Sequence, residues 1–349
     1  MQVVFFRHSL LNRGGDKVFL HYANYLVNKG HTVTLYVNRI DTLFSVHPSL
    51  DLKKIPLPGT AGTILYAIFR KFQSSLVVVD IIPLVVFMSL RNNALVYFAQ
   101  DLDTSYYQSS PQKFLVRCFY FLGLKIFRTA SISVANKLAL ELRPLSNGTI
   151  DVVQNGVDTA VFYPDSLEEY RSLKGDKKTV LFMVRSDFRK GFDVGDAVFK
   201  LLDEKYRGLC QIWAVGEEYT DESLDIVNFG YVSADTLRQL FSSVDLFLYP
   251  TRHEGLPLMV LEAMACGCPV VTTEASDEVA QDQVNSIVFP VEDVDGLFQG
   301  VYEVLSDERL KQSLKKAGLS TSREHCLDKA SSDFEDVLSM HYARLVQPG

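Results

Sequence analysis

Short runs of β-branched and apolar residues alternate with longer amphipathic stretches along the whole chain, and this alternation constrains the fold more than any other feature. VVFF near the start is followed by a helical pattern over 16–29, then by TVTLYV, LVVVD, ALVYFA and SISVA. The theme returns from residue 179 with TVLFMV, a helix over 193–206, QIWAVG, VNFGYV, a helix over 234–243, DLFLYP, a helix over 257–266 and PVVTT. Strands separated by helix-length segments imply βαβ units and parallel sheets. At 349 residues the chain outgrows a single hydrophobic core, so two Rossmann-like α/β domains are expected. Between them DVVQNGVDTAVFYPD (151–165) interrupts the alternation with Asn155-Gly156 and Pro164, which places a hinge. After Pro290 the pattern is helical and charged through 292–318, and an amphipathic stretch at 326–346 follows with no strand partner. The domains therefore read as 1–155 and 165–325, with a C-terminal helix within 326–349 that packs back on the first domain. No repeat and no low-complexity tract interrupts either half.

Composition narrows the function. With 47% hydrophobic and 22% charged residues the chain reads as a packed α/β protein rather than a disordered one. A formal charge of −7 argues against nucleic acid as the main partner, because phosphate backbones are held by clustered Lys and Arg. Cys118, Cys210, Cys266, Cys268 and Cys326 are odd in number, scattered and without a zinc-type spacing, as expected of reduced thiols in a cytoplasmic protein. The start, MQVVFFRHSL, reads as a first core strand and lacks the regions of a signal peptide. Leu76 to Leu90 is the most apolar run, but its 15 residues include Asp80 and Pro83, short of the ~20 clean residues a membrane span needs.

Three segments carry chemistry. In HEGLPLMVLEAMACG, counted from His253, a loop runs into a helix that Pro257 opens and Gly267 closes. Glu254 lies before this helix and Glu262 about one and a half turns inside it, so the two carboxylates address opposite ends of one ligand. The backbone N–H groups of Leu258 and Met259, with the positive end of the helix dipole, form a seat for a diphosphate. In VLFMVRSDFRKGFDV (180–194) a buried strand delivers Arg185 and then Lys190-Gly191 to its carboxyl end, where open α/β sheets bind ligands. The third segment, Asn12-Arg13-Gly14-Gly15-Asp16, is a glycine turn between the first strand and its helix that lets backbone approach a ligand closely. Each has a plainer reading: Glu262 as a solvated helix carboxylate, the cations as a basic turn, and the glycines as turn geometry alone.

The form EGLPLMVLEAMACG-PVV, an E-x7-E pattern, resembles the donor-site signature of retaining GT-B glycosyltransferases of family 4, the glycosyl transferases of group 1. Supporting marks are the Arg185 and Lys190-Gly191 pair, VVQNGVDTAVFYP at the hinge, NFGYVSADTLRQLFSSVDLFLYPTRHEG, and more thinly the glycine loop, KGHTVTLY and SVANKLALEL. The resemblance implies a GT-B fold with an interdomain cleft, an N-terminal acceptor domain and a C-terminal nucleotide-sugar donor domain. It implies transfer of a sugar from a nucleotide-diphosphate sugar to a hydroxyl of a glycan or lipid-linked acceptor, in polysaccharide, lipopolysaccharide or other glycoconjugate assembly. No cofactor and no metal is expected. Arg185 and Lys190 would stabilise the leaving diphosphate, which needs cations and no metal. Glu254 would contact the sugar, Glu262 the ribose hydroxyls, and Gly14, Gly15, Asp16, Gly255, Leu256, Leu258 and Met259 would complete the donor site.

The pattern departs from the family in three places. Val184 stands where glycine is usual, and Pro257 removes one donor N–H from the helix mouth. Many relatives carry a histidine after the strand corresponding to Leu95–Ala99; here Gln100 and Asp101 follow, Asp101 to relay a proton or Gln100 to position substrate. Asp101-Leu102-Asp103 also spells DxD, the metal motif of another glycosyltransferase fold, which the two-Rossmann pattern disfavours. LYAIFRKF (65–72) and KFLVRCFYFLGLKIFR (113–128) mix aromatics with Arg70, Lys71, Lys113, Arg117, Lys125 and Arg128. They read either as core helices with solvated basic residues or as a peripheral contact with the inner face of a membrane. Two rival functions keep the same fold: a nucleotide-sugar epimerase or hydrolase, and a catalytically silent sugar-nucleotide or glycan-binding protein.

Overall fold

The computed structural model describes residues 1–346 other than 12, 43 and 108. The chain divides into two compact units, residues 1–155 together with 329 onward, and Gly156–Asp328.

The first unit is built on a parallel sheet of β1 (Gln2–Leu10), β2 (Thr32–Ile40), β3 (Asp51–Lys54), β4 (Leu76–Val79), β5 (Leu95–Ala99), β6 (Ala130–Ser133) and β7 (Ile150–Val152), in the order β3-β2-β1-β4-β5-β6-β7. Helices α1 (Gly14–Asn28), α2 (Gly59–Phe69), α3 (Ile82–Ser89), α4 (Ser110–Tyr120) and α5 (Asn136–Leu142) make the crossovers. β4, β5 and β6 are buried throughout, the pattern of strands covered on both faces, which is why they read as unbroken apolar runs. The apolar run at 76–90 resolves into β4, a turn at Asp80 and α3, whose second residue is Pro83.

In the second unit α6 (Glu168–Lys174) precedes a parallel sheet of β8 (Lys178–Val184), β9 (Cys210–Gly216), β10 (Ile226–Gly230), β11 (Leu246–Tyr249), β12 (Val270–Thr273) and β13 (Ile287–Phe289), ordered β10-β9-β8-β11-β12-β13. α7 (Phe192–Lys205), α8 (Ala234–Ser243) and α9 (Leu258–Ala265) alternate with its strands. Its core gathers Val180, Phe182, Phe199, Leu246, Leu248 and Val301, with Tyr219 edge-on to Phe182. The charged stretch expected over 292–318 is two helices, α10 (Val294–Ser306) and α11 (Glu308–Glu324). Asp307 divides them: its carboxylate accepts from the amides of Arg309 and Leu310 and so caps the second helix.

The terminal α12 (Leu327–Leu345) belongs from residue 329 to the first unit. Its Phe334 is fully buried, stacked on Tyr22 at 4.1 Å between ring centroids and edge-on to Phe98 at 5.3 Å. His31 and His341 add contacts to Glu335 and Asp151 at 2.8 and 2.9 Å.

In each sheet the winding direction reverses once, between β1 and β4 in the first unit and between β8 and β11 in the second. Doubly wound sheets open a crevice at such a reversal, beyond the carboxyl ends of the strands, and ligands bind there. The candidate residues are disposed around these two places.

Candidate active site

In the second unit, β8 and β11 deliver the charged groups. Lys190 follows β8 through a single 3-10 turn closed by Asp187, whose carboxylate accepts from the Arg189 amide. Gly191 then opens α7 in the left-handed region at φ +67, and a Cβ there would lie 1.9 Å from the Pro250 carbonyl oxygen, so only glycine fits. From the β11 side, Glu254 Oε1 accepts from Lys190 Nζ at 2.7 Å, Tyr249 Oη at 2.5 Å and Thr251 Oγ1 at 2.9 Å. Lys190 also donates to Tyr249 Oη at 3.1 Å. Burial works against the Lys190 charge, but Glu254 and Tyr249 outweigh it and raise the ammonium's pKa. Lys190 is a fixed cation at this strand end. Tyr249 and Thr251, which the sequence reasoning missed, set the carboxylate's position; their signal was two hydroxyls just before Glu254.

Arg185, at the end of β8, stacks over the Tyr231 ring at 4.9 Å and reaches its hydroxyl at 3.4 Å. Tyr231 is exposed, so the guanidinium is braced on a side facing water. Neighbouring Ser186 gives both amide and hydroxyl to Glu217 Oε1.

The loop into α9 differs in detail from expectation. The Leu258 amide bonds the Leu256 carbonyl at 2.9 Å, and those of Val260 and Leu261 bond the Pro257 carbonyl. Leu258 is therefore no free donor. The amides of Gly255, Leu256 and Met259 make no hydrogen bond among the described residues. They surround the positive end of α9, a geometry suited to an anion. Glu262 lies in the second turn of α9 and is buried, unlike a solvated helix carboxylate.

The first unit holds a second cluster at its own reversal point. Arg7 ends the apolar run of β1 and reaches Asp16 at 2.6 Å and Asp80, just beyond β4, at 3.3 Å. Asp80 accepts from Gln100 Nε2 at 3.0 Å, and burial raises its pKa against the opposing pull of Arg7. A Cβ on Gly15 would stand 3.2 Å from Gln100 Oε1, so the glycine loop closes directly over this residue. Gly14 meets nothing within 4 Å of a Cβ among the described residues. Asp16 faces inward: it accepts from the amides of Leu11 and Arg13 and is almost fully buried, holding the loop's shape instead of presenting a carboxylate outward. Asn12 lies outside the described residues. Among the described residues Arg7 Nε and Nη1 and Asp80 Oδ1 are buried with no hydrogen-bond partner. Neither residue was singled out from sequence, although a charge ending an apolar strand run was the available signal.

Asp101 and Asp103 separate. Asp101 accepts from the amide of Leu102 at 2.7 Å and is half-buried. Asp103 accepts from the Ile82 amide at 2.8 Å and caps α3, its own amide donating to Tyr120 Oη; burial pushes its carboxyl up to about 7. Among the described residues no three His, Cys, Asp or Glu side chains converge as a metal site.

Comparison with known proteins follows this division. Residues 177–307, nearly the whole second sheet, match the family model "Glycosyl transferases group 1". An uncharacterized glycosyltransferase of Methanocaldococcus jannaschii is 27% identical over 197 residues, 50% of each chain. The O-antigen chain mannosyltransferase B of Escherichia coli is 31% identical over 130 residues, 36% of this chain and 33% of that one. These matches span half or less of either relative. The structure of Anabaena HepE in complex with UDP-glucose superposes with a TM-score of 0.74 at 16% identity, covering 97% of this chain and 100% of that one. With its second sheet matched in sequence and its architecture matched along nearly its whole length, the chain is similar over residues 177–307 to the group 1 glycosyl transferases and has the GT-B fold.

Proposed function

We propose that the protein is a retaining glycosyltransferase that moves a sugar from a nucleotide-diphosphate sugar to a hydroxyl of a glycan or lipid-linked acceptor, without a metal and in peripheral contact with a membrane. The observation that carries the reading is the arrangement where β8 and β11 diverge: a fixed Lys190 and a braced Arg185 stand on one side, Glu254 and the free amides of Gly255, Leu256 and Met259 on the other. In the proposed reaction the two cations and the end of α9 take up the charge that develops on the leaving diphosphate. Glu262 holds the ribose, and Glu254, relieved of part of its pairing with Lys190, orients the sugar and steadies positive charge at the anomeric carbon. Asp101 and Gln100 serve the acceptor side, with Gly14 and Gly15 close to the ligand and Asp16 shaping their loop. Support for a nucleotide-sugar donor comes from HepE, whose complex contains UDP-glucose, and support for a glycan acceptor from the O-antigen mannosyltransferase.

A thermal-shift screen against UDP, GDP, ADP, dTDP and their common sugars tests the donor site, with Glu262→Ala as the control. Ligand at a hundred times its Kd adds about 2.7 kcal/mol, which in a unit of this size is roughly 5–10 °C. A shift with one base, lost in the control, is expected. No shift with any nucleotide would favour the silent-protein alternative.

A further inference from the structure

One flank of the first unit is apolar where helices facing water are polar. α4 and the π-helical turn that continues it, Phe121–Ile126, leave Phe114, Leu115, Phe121, Leu122, Ile126 and Phe127 between 40% and 69% exposed. The other side of the same helix is ordinary core: Val116, Tyr120 and Leu124 are buried, and Phe119 sits edge-on to Phe87 of α3 at 5.9 Å. The exposed residues come in pairs at 114/115, 121/122 and 126/127. Seven residues are about two α-helical turns, so the first pair stacks beneath the second. The third stays in line because the turn is bonded five residues back, the Phe127 amide donating to the Leu122 carbonyl at 2.9 Å. Ordinary α bonding would rotate residues five apart to different sides. The π turn thus extends one apolar stripe.

The stripe has a neighbour and a charge. α3 packs against both α4 and α2, and α2 exposes Leu65 and Phe69, followed by exposed Arg70 and Lys71. Single exposed apolar residues need no explanation, but a contiguous set rimmed by cations marks a contact surface. Residues 52–140 hold ten Lys and Arg against three Asp and no Glu, a net +7 in a chain of net −7. Of the three, Asp80 is buried and Asp103 is turned in to cap α3. The rest of the chain is therefore −14, and acidic residues are scarce, 3 of 42, where the exposed apolar ones gather.

We infer that this flank is a docking surface for an anionic lipid bilayer, with α4 and its π turn lying in the interface. Phe114, Leu115, Phe121 and Leu122 enter the acyl boundary, while Arg117, Lys125 and Arg128 meet headgroup phosphates. Charge selects this occupant. A second copy would bring another set of like charges, Arg117, Lys125 and Arg128, against the first, whereas an anionic leaflet complements both the apolar stripe and its rim. No helix among the described residues is long and apolar enough to cross a membrane, so the attachment is to one face. The inference deepens the reading of a lipid-linked acceptor and rests on it only for its purpose, since docking is measured without turnover.

The experiment is flotation of the full chain with vesicles of phosphatidylcholine alone and of about three parts phosphatidylcholine to one of phosphatidylglycerol. Wild type is expected to float with the anionic vesicles at least tenfold more than with the neutral ones, and to be released by high salt. Phe114→Ser with Phe121→Ser, both exposed, is expected to lose at least tenfold of that binding while keeping its melting temperature and any nucleotide-induced shift. Arg117→Glu with Arg128→Glu is expected to abolish the preference for anionic lipid. Equal flotation of wild type and both variants, no binding to anionic vesicles at moderate salt, or a dimer in solution dispersed by the serine variant would each overturn the proposal. Loss of the nucleotide shift in wild type would instead fail the functional reading and leave docking standing.

Discussion

Replacing Glu254 by alanine is the sharpest probe of the cluster between β8 and β11. In the native structure one carboxylate oxygen accepts from Lys190, Tyr249 and Thr251 at 2.5–2.9 Å, with the glutamate side chain 10% and the lysine side chain 23% exposed. Alanine leaves the ammonium against Tyr249 without its counter-charge. Removing one partner of a buried pair costs about 3–5 kcal/mol, and the remaining exposure of Lys190 puts the expectation near the low end, about 3 kcal/mol. Glu254→Gln keeps the shape and an acceptor for Lys190 and should cost about half as much. Adding Lys190→Met to Glu254→Ala removes the orphaned charge, so the double variant should recover about 1–2 kcal/mol relative to additivity. The assay is urea unfolding followed by fluorescence of Trp213, the chain's single tryptophan, which is buried in β9 of the same unit. Because the pairing raises the Lys190 pKa, its stabilisation is fully present below the unfolded value and lost only as pH rises through the folded one. The wild-type advantage should therefore stay constant between pH 6 and 9, on the ordinary lysine pKa of about 10.4. A Glu254→Ala variant as stable as wild type to within about 0.5 kcal/mol would refute the cluster as drawn.

Further outcomes follow from other residues. Gly191→Ala combines a left-handed backbone with a Cβ overlapping the Pro250 carbonyl and should destabilise the second unit by about 3 kcal/mol or more, read by Trp213. Phe334→Ala should cost the first unit about 3–5 kcal/mol through the cavity left against Tyr22, Phe5 and Phe98, with the Trp213 transition little changed. Asp103 has a folded pKa raised from 3.8 to about 7, so the stability it confers is present below pH 4 and lost as pH rises to 7, about 4 kcal/mol in all. Asp103→Asn, which still accepts from the Ile82 amide, should flatten that decline in protection of the Ile82 amide against hydrogen exchange. Gly15→Ala presses on Gln100 and should alter transfer rate with little change in nucleotide binding, whereas a loss of both would place Gly15 in the nucleotide site.

The alternation of apolar runs and helical patterns made both sheets and their crossovers legible, because a parallel strand covered on both faces has no polar residues to blur it. The short outer strands β3 and β7, and the three-residue edge strand β13, were not read. β3 is exposed along its whole length and β7 is half-buried or exposed, so neither carries an apolar run. Glu254, Glu262, Arg185 and Lys190 could be singled out because each stands in a compact local pattern. Arg7, Asp80, Tyr249 and Thr251 carried only weak local signals: Arg7 and Asp80 meet only when β1 and β4 pair in register, 73 residues apart in sequence. The inward turn of Asp16 and the Leu258 amide's bond to Leu256 are matters of a few backbone dihedrals that residue types do not determine. The π turn after α4 was likewise invisible, since its sequence fits an α-helix equally well.

Proton NMR of the product tests sugar transfer with retention. The donor chosen by thermal shift is incubated with wild type, a glycolipid acceptor extract and excess chelator, and the new anomeric signal is compared with the donor's. The expected product keeps the donor's own anomeric configuration and forms in chelator at the full rate, with Glu262→Ala much slower. An inverted anomer, a strict need for added metal, or tight donor binding with neither transfer nor hydrolysis would contradict the proposed function.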